Sequence, residues 1–415
     1  MSRAPISTPG PSAPPMAATG RLSLVEHQTA TGRALHMDRV EQIEVVREFS
    51  PSVREAWEAV YAESGLPNPF LSAEWCELWW DHVAPDRAEL RLLILRGVEA
   101  RAVAVLPCYF VPWRSPGAGG ELRLLGDVGT SADHLDILAP AESVARAADV
   151  LLGQVSTMKD VRLCRFRGVG YAGALHEAAR RLSGSKEWWL AERGTEICPY
   201  IELPETMAAL LGRLSRSFRQ NLGRDQRRMG EDAAWRMAVL DGDDAASLLP
   251  TVRALHRARW TSAAADDAHR RSWDALEKLF RRPGRTVSGK LFALWHDEEV
   301  VAARIVLCSG GRAYDYREAR TQERHAYGIG HAVGLASCEW AIEQGCREFD
   351  LLRGDEPHKA RWTSLARRNV DLDLGRRGKA TVAARFGPSI RRTLARLKPG
   401  RRGRAGETSQ WVLTD

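Results

Sequence analysis

The stretch of sequence that decides the fold covers residues 349–362 and reads FDLLRGDEPHKARW. It begins with an apolar segment typical of a strand and breaks into a turn at Arg353-Gly354. The nine residues from Arg353 to Arg361 hold two acids, a histidine, a lysine and two arginines. Burying so much unpaired charge is costly, so these groups are expected at a surface or in a cleft. Their place at a strand end, where open α/β sheets bind ligands, favours a cleft.

A strand, a glycine turn and a helix precede this stretch. Residues 312–318 alternate aromatic and charged side chains, which predicts a strand, and Gly328-x-Gly330 opens an apolar helix that stops near Gly345. Strand, turn, helix and strand together predict a right-handed crossover. Free backbone N–H groups and the helix dipole at Gly328 favour a pyrophosphate there. Neither the six-residue dinucleotide fingerprint nor a P-loop is present in the sequence.

Two blocks of the chain follow the same order of elements. In the first block, Ser72 is expected to cap a helix that is followed by a hairpin of residues 90–95 and 102–106. In the second block, another helix precedes a hairpin of residues 291–295 and 300–307. The repetition predicts an α/β (α+β) fold of two tandem domains, mixed sheets flanked by helices, with a junction near residue 200.

Four segments follow from this reading. Residues 1–36 are rich in Pro, Ala, Ser, Thr and Gly and are expected to be a disordered extension, with Met37 as an alternative start. Residues 37–200 form the predicted N-terminal domain and residues 201–375 the predicted C-terminal domain. Residues 376–415 are expected to be a basic, mostly disordered tail.

The composition limits the function classes. The chain has 415 residues, 44% hydrophobic and 27% charged, without an apolar run long enough to span a membrane or a recognisable secretion signal. Seven scattered cysteines, none in a Cys-x-x-Cys pair, predict reduced thiols in the cytoplasm and no metal site. The net charge of +7 comes from eleven Lys and Arg residues between Arg376 and Arg404, so nucleic-acid binding is not expected of the body of the chain.

Three motifs carry a resemblance to a known family. They are Phe70-Leu71-Ser72-x-x-Trp75, Ser217-Phe218-Arg219-x-Asn221-Leu222, and Leu352-Arg353-Gly354-Asp355-Glu356-Pro357-x-Lys359-x-Arg361-Trp362. The chain resembles the GNAT-type N-acetyltransferases over roughly residues 40–375. It looks most like the tandem-GNAT subfamily linked to cellulose biosynthesis (CelD type), which is similar in fold to the Fem-type aminoacyltransferases. The resemblance implies transfer of an acetyl or longer acyl group from acyl-CoA to a small-molecule amine or sugar acceptor, without metal.

Site residues follow from the resemblance and from the chemistry it requires. The general base is sought among Asp355, Glu356 and His358. Residues expected to bind the acyl-CoA are Arg324, His325, Gly328, Gly330 and His331. In the usual GNAT phosphate loop a Gln or Arg stands where this chain has His325. Residues expected to bind the acceptor are Asp315, Glu318, Arg353, Lys359 and Trp362. Arg361 is expected to pair with Asp355 or Glu356.

Two other functions stay open at this point. A Fem-like enzyme would take its acyl group from aminoacyl-tRNA, which the basic tail and the arginines of residues 213–228 favour. A non-catalytic accessory protein of exopolysaccharide biosynthesis is the third hypothesis. It is favoured by glycine-rich stretches at residues 117–120 and 126–129 that do not clearly open helices. Under the leading hypothesis, the N-terminal half forms one wall of the acceptor cleft.

Overall fold

The computed structural model describes residues 42–66, 68–115, 117–259, 267–282, 286–321, 327–378 and 411–414. The predicted disordered extension, residues 1–36, lies outside the described residues. Most of the predicted basic tail also lies outside them, but residues 411–414 are described and form an ordered pairing at the sheet. The described residues belong to one compact unit that spans Arg39–Asp415.

The N-terminal half alternates short strands with four helices among the described residues. Its elements are β1 (Gln42–Val46), α1 (Pro51–Glu63), α2 (Ala73–His82), β2 (Glu89–Leu90), β3 (Leu92–Arg96), β4 (Ala102–Leu106), β5 (Cys108–Pro112), β6 (Gly120–Leu124), α3 (Val144–Thr157), β7 (Val161–Gly170), α4 (Ala174–Ser183) and β8 (Trp188–Glu202). The predicted cap of α2 is confirmed, because the Ser72 hydroxyl accepts a hydrogen bond from the Trp75 N–H at 3.1 Å.

The C-terminal half carries the stretch with which the sequence analysis began. Its elements are α5 (Met207–Arg213), α6 (Arg216–Gly230), β9 (Trp235–Leu240), α7 (Gly242–Arg259), α8 (Asp267–Arg281), β10 (Ser288–His296), β11 (Glu299–Ser309), β12 (Arg312–Arg320), α9 (Ile329–Glu343), β13 (Glu348–Asp350), β14 (Leu365–Arg376) and β15 (Val412–Leu413). The predicted hairpins are confirmed as β3–β4 and β10–β11. Gly345, with a φ of 73°, ends α9 as expected.

One large mixed sheet runs through both halves. Its strand order in the described chain is β2-β5-β6-β7-β14-β8-β13-β12-β11-β10-β9, with β15 beside β14, while β1, β3 and β4 form a separate sheet. The predicted junction near residue 200 falls inside β8, which pairs with β14 up to Pro199 and with β13 from Tyr200 onward. β14 comes from the end of the chain but lies between β7 and β8 of the N-terminal half. Because one sheet runs through both halves, the division into two tandem domains remains a prediction.

The sheet divides beside β13. β12 and β13 run parallel and pair over three positions only, ending at Tyr314 opposite Asp350. Beyond that point β12 continues with β11, whereas the chain after β13 follows β8, since the Gly354 N–H donates to the Ile197 carbonyl at 2.8 Å. We call the space between residues 315–320 and residues 351–362 the wedge. The predicted crossover through α9 thus leads to a gap at the strand ends.

Candidate active site

The start of α9 has the glycine turn that the sequence predicts, but the turn is not open. Gly328 is the N-cap residue and adopts a left-handed conformation with a φ of 68°, which glycine tolerates best. A Cβ atom at Gly328 would collide with the carboxylate of Asp225, and one at Gly330 would lie 2.7 Å from an Arg320 nitrogen. Side chains therefore crowd both glycines. Arg324 and His325, also expected to bind the acyl-CoA, lie outside the described residues.

An acid occupies the side of this turn where the sequence predicts an anion. Asp225 of α6 is buried, and its Oδ2 lies 3.2 Å from Nδ1 of His331 on α9. Burial lowers the pKa of His331 although Asp225 opposes the shift, so the imidazole is neutral near pH 7. The sequence analysis missed Asp225. The available signal was an acid within a run of arginines on the apolar stripe of α6.

The wedge is lined by charged groups on β12 and β11. Arg304 of β11 lies 3.4 Å from Asp315 and 3.1 Å from Glu318, both of which were predicted site residues. Burial raises the pKa of Asp315, and the Arg304 guanidinium offsets only part of that rise. Oδ1 of Asp315 is buried and has no hydrogen-bond partner in the described chain. A buried acid with a spare acceptor and a perturbed pKa is typical of a functional site.

The turn across the wedge brings His358 and Glu356 toward Glu318. His358 is an exposed residue, but partial loss of water around its ring lowers its pKa, and the nearby acids Glu318 and Glu356 offset only part of that shift. For Glu356, burial alone would raise the pKa, but the Lys359 ammonium at 3.1 Å outweighs it and the pKa is lowered. His358 is therefore the better proton acceptor near neutrality, because it is already neutral there. Glu356 stays ionised and paired.

Two predicted acceptor-binding residues make contacts inside the protein. Arg353 lies 2.7 Å from Asp133, a fully buried acid of the N-terminal half that also accepts from the Arg353 N–H at 2.9 Å. The Lys359 ammonium donates to the carbonyls of Arg353 and Leu352 at 2.7 and 3.2 Å. These contacts hold the turn in its shape. Binding of an acceptor by either residue stays a prediction.

The remaining predicted residues of the turn differ in their surroundings. Asp355 is exposed, whereas Trp362 is half-buried, with its ring centroid 5.3 Å from that of Phe218. The expected pairing of Arg361 with Asp355 or Glu356 is wrong. Its guanidinium lies over the Phe218 ring at 5.5 Å and has no acid partner among the described residues. Glu356 pairs with Lys359 instead, because a spacing of three residues in this turn brings the two side chains together.

The N-terminal half covers the opposite face of β12. Phe70 packs against Tyr314 and Tyr316 with ring centroids 5.9 Å apart in each case, and Trp75 packs against Tyr316 at 5.3 Å. Phe70 and Trp75 belong to the first motif of the sequence analysis. Tyr316 itself lies where the pairing of β12 with β11 slips by one residue. Such a bulge turns side chains toward a neighbouring cavity.

A half-buried histidine and a buried acid lie beside the end of β13, between the two halves. Nε2 of His134 is 3.1 Å from Oδ2 of Asp350, the last residue of β13, and both line a cavity of about 240 Å³. His134 has a φ of 55°, and the Asn68 amide donates to its carbonyl at 2.9 Å. Strained backbone of this kind persists only where its surroundings hold it. The signal in the sequence was the Asp133-His134-Leu135-Asp136 run.

The pair should make stability depend on pH. Burial lowers the pKa of His134, but Asp350 outweighs it and the pKa is raised above its ordinary value. The pair therefore stabilises the fold fully below about pH 6.5, the ordinary histidine value, and this contribution is lost as pH rises through the raised pKa.

We expect native protein to lose stability as pH rises above about 6.5, the ordinary histidine value, measured by urea unfolding, and His134→Asn to show a flatter profile. Asparagine tolerates the left-handed backbone, so strain is not added. His296→Asn serves as the control, since His296 is as exposed as His134 but pairs with Asp232, an exposed acid, whereas Asp350 is buried. Identical profiles for native protein and His134→Asn would contradict the assignment.

Comparison with known proteins adds to this geometry. Residues 216–360 match the family model described as an acetyltransferase (GNAT) domain. The crystal structure of FemX has a TM-score of 0.54 at 11% identity, covering 80% of this chain and 96% of FemX. A conserved protein of unknown function from Bacteroides thetaiotaomicron VPI-5482 has a TM-score of 0.52 at 10% identity, covering 80% of this chain and all of that one. No curated protein sequence matches significantly.

These matches identify one domain of the chain and its fold class. The chain contains a GNAT-type acetyltransferase domain, and its fold is the mixed α/β fold with flanked sheets that the sequence predicts. The likeness to FemX, at 11% identity, concerns the fold. In the part of the chain that the structure describes, no cluster of His, Cys, Asp and Glu could hold a metal ion, and no helix is long and apolar enough to cross a membrane.

Proposed function

We propose that the protein is an acyltransferase that moves an acetyl or longer acyl group from acyl-CoA to an amine or hydroxyl. The observation that carries the proposal is the wedge. β12 and β13 part after Tyr314 and Asp350, and α9, which connects them, begins with a left-handed glycine turn at Gly328. A thioester in the wedge would lie beside backbone N–H groups of β12 that β13 does not pair. Such donors stabilise the oxyanion that forms on the thioester carbonyl.

His358 supplies the base in this proposal. The acceptor nitrogen or oxygen attacks the thioester carbon, His358 takes the proton, and the carbon–sulfur bond breaks to release the thiolate. The lowered pKa of His358 suits this step, because the imidazole is unprotonated near pH 7. Asp315 and Glu318, held by Arg304, orient an ammonium acceptor before it loses its proton. In this proposal Asp315 binds the acceptor, and His358 takes its proton.

The test of the donor uses Asp225. Its carboxylate lies against Gly328, where a pyrophosphate would bind, so it opposes a second negative charge there. Asp225→Asn keeps the shape and removes the charge, and we expect acetyl-CoA to bind roughly tenfold more tightly in isothermal calorimetry. Asp244→Asn removes an exposed acid from α7 and should bind like native protein. If neither native protein nor Asp225→Asn binds millimolar acetyl-CoA, the acyl-CoA donor is excluded.

A second candidate is an aminoacyl-tRNA donor. It is favoured by the same carboxylate of Asp225, which opposes a CoA pyrophosphate, and by the exposed arginines of α6, Arg216, Arg219, Arg224, Arg227 and Arg228. This donor predicts a gel shift with tRNA that weakens steeply with salt, together with no heat of binding for acetyl-CoA. Binding of acetyl-CoA without a tRNA shift would support the first candidate.

The finer assignments belong to the same proposal. Membership of the CelD-type subfamily and a role in polysaccharide or cell-envelope metabolism rest on the sequence motifs, and a place in the cytoplasm rests on the scattered cysteines. The acceptor can be sought by measuring thiol release from acetyl-CoA across a panel of amines and sugars. Release with an amino sugar but not with peptides would support polysaccharide metabolism, whereas release only with peptides would oppose it.

A further inference from the structure

A second pocket lies beside Trp362. It has a volume of about 460 Å³ and lies between the first turns of α6 and residues 360–364. Its walls join two of the three sequence motifs, because Ser217, Phe218 and Asn221 come from one and Arg361 and Trp362 from the other. These motifs are about 130 residues apart in the chain and meet in this pocket. We call it the α6 pocket. Its size suits a sugar or a comparable small molecule.

The α6 pocket is positively charged. Arg213 and Arg361 line it, and no acid does so among the described residues. Neither arginine is paired with a carboxylate there. Arg213 donates to the Glu202 carbonyl at 3.1 Å, and Arg361 lies over the ring of Phe218 at 5.5 Å. Each guanidinium is thus held in place by a neutral partner and keeps most of its five N–H donors for a ligand.

The remaining walls match a phosphate-bearing ligand. Ser217 and Asn221 add a hydroxyl and an amide, so the pocket offers more donors than the two oxygens of a carboxylate can accept. Two arginines that approach one anion favour phosphate, which accepts several N–H bonds at once. The edge-to-face pair of Phe218 and Trp362 forms an apolar wall against which a sugar ring can pack.

The α6 pocket is also connected to the candidate active site. Phe218 contacts both Trp362 and His331 of α9, with ring centroids 5.3 Å apart in each case. Trp362 in turn packs over Gly334 of α9, where a Cβ atom would lie 3.1 Å from its ring. The anion site at Gly328 is separate, because Ser217 and Asp225 are eight residues apart on α6, roughly 12 Å along the helix axis.

We propose that the α6 pocket binds the phosphate group of the acceptor, so that the substrate is a phosphorylated sugar or a comparably sized phosphorylated amine. This inference rests on the proposed function, since it assigns the pocket to the acceptor of that reaction.

Calorimetry with glucose 6-phosphate, galacturonate and glucose tests the chemistry. We expect glucose 6-phosphate to bind best and glucose not to bind. Arg361→Gln and Ser217→Ala should each weaken the binding of glucose 6-phosphate. For Arg361→Gln we expect the affinity to fall by at least about tenfold. Arg227→Gln, an exposed arginine of the same helix that does not line the pocket, should bind like native protein. Equal binding by native protein and Arg361→Gln would overturn the proposal, as would a preference for galacturonate.

Competition with acetyl-CoA separates the two proposals. Glucose 6-phosphate should bind equally well with and without saturating acetyl-CoA, and Arg361→Gln should leave the affinity for acetyl-CoA unchanged. If acetyl-CoA displaces glucose 6-phosphate, the pocket belongs to the donor and the inference is wrong while the acyltransferase proposal stands. If acetyl-CoA does not bind at all but Arg361-dependent phosphate binding persists, the donor fails and the anion pocket remains.

Discussion

Replacing Asp133 with alanine is expected to lower the free energy of unfolding by about 3 kcal/mol. Asp133 is fully buried and joins three parts of the chain, because Arg353 and Asn369 both donate to its carboxylate, the latter at 2.8 Å. Alanine would leave the buried Asn369 amide without this acceptor and Arg353 with Glu196, at 3.3 Å, as its remaining acid partner. Removing one partner of a buried charged pair costs more than the pair contributes, since the other charge stays desolvated. Urea unfolding at neutral pH measures the loss.

A matched control comes from the surface. Asp149 and Arg181 form the same type of pair at 2.8 Å between α3 and α4, with both side chains about half exposed. Asp149→Ala should therefore cost less than about 1 kcal/mol. A loss of stability for Asp133→Ala no greater than that of the control would contradict the role given to Asp133. Because Arg353 belongs to the turn of the wedge, the Asp133→Ala protein should also show faster proteolysis at residues 353–361.

The second large effect concerns the base. His358→Asn is expected to lower kcat about 100-fold, the usual contribution of a positioned general base. Native activity should rise with pH through the lowered pKa of His358 and level off near neutrality, because only the neutral imidazole accepts a proton. The variant should lack that ascending limb. Thiol release from acetyl-CoA, with any acceptor identified in the panel, measures kcat and its dependence on pH.

Asp355→Asn provides the comparison within the same turn. Asp355 is exposed and has no described partner, so its substitution should leave kcat and the pH profile close to native values. If Asp355→Asn loses the ascending limb and His358→Asn retains it, the assignment of the base is wrong. If Asp315→Asn alone abolishes activity at all pH values, Asp315 rather than His358 is the essential group of the wedge.

Local signals in the sequence predicted the elements that form the site. The cap at Ser72, the two hairpins, the glycine turn at Gly328 and the stop at Gly345 all act within a few residues, so they can be recognised from neighbours alone. The glycine turn also indicated correctly where α9 begins. Those elements in their order were sufficient to predict the GNAT-like fold class, which is confirmed.

The partners of the charged residues could not be predicted in the same way. Arg353 reaches Asp133, 220 residues away, and Asp225 reaches Gly328 and His331 across the packed face of α6. The sequence predicted that Arg361 pairs with a nearby acid, but in the structure Glu356 forms its ion pair with Lys359. Many opposite charges in the sequence could attract one another. Only the packing of the elements decides which pair comes within hydrogen-bond distance.

The sequence by itself determined a strand, a glycine turn, a helix and a charged turn in residues 312–362, because each follows from local backbone preference and apolar periodicity. The tertiary structure decided what these elements enclose. It inserted β14 between β7 and β8, opened the wedge after Tyr314 and joined two distant motifs in the α6 pocket. Strand order and cavities depend on which apolar faces pack together over the whole chain, and that information is not contained in any one segment.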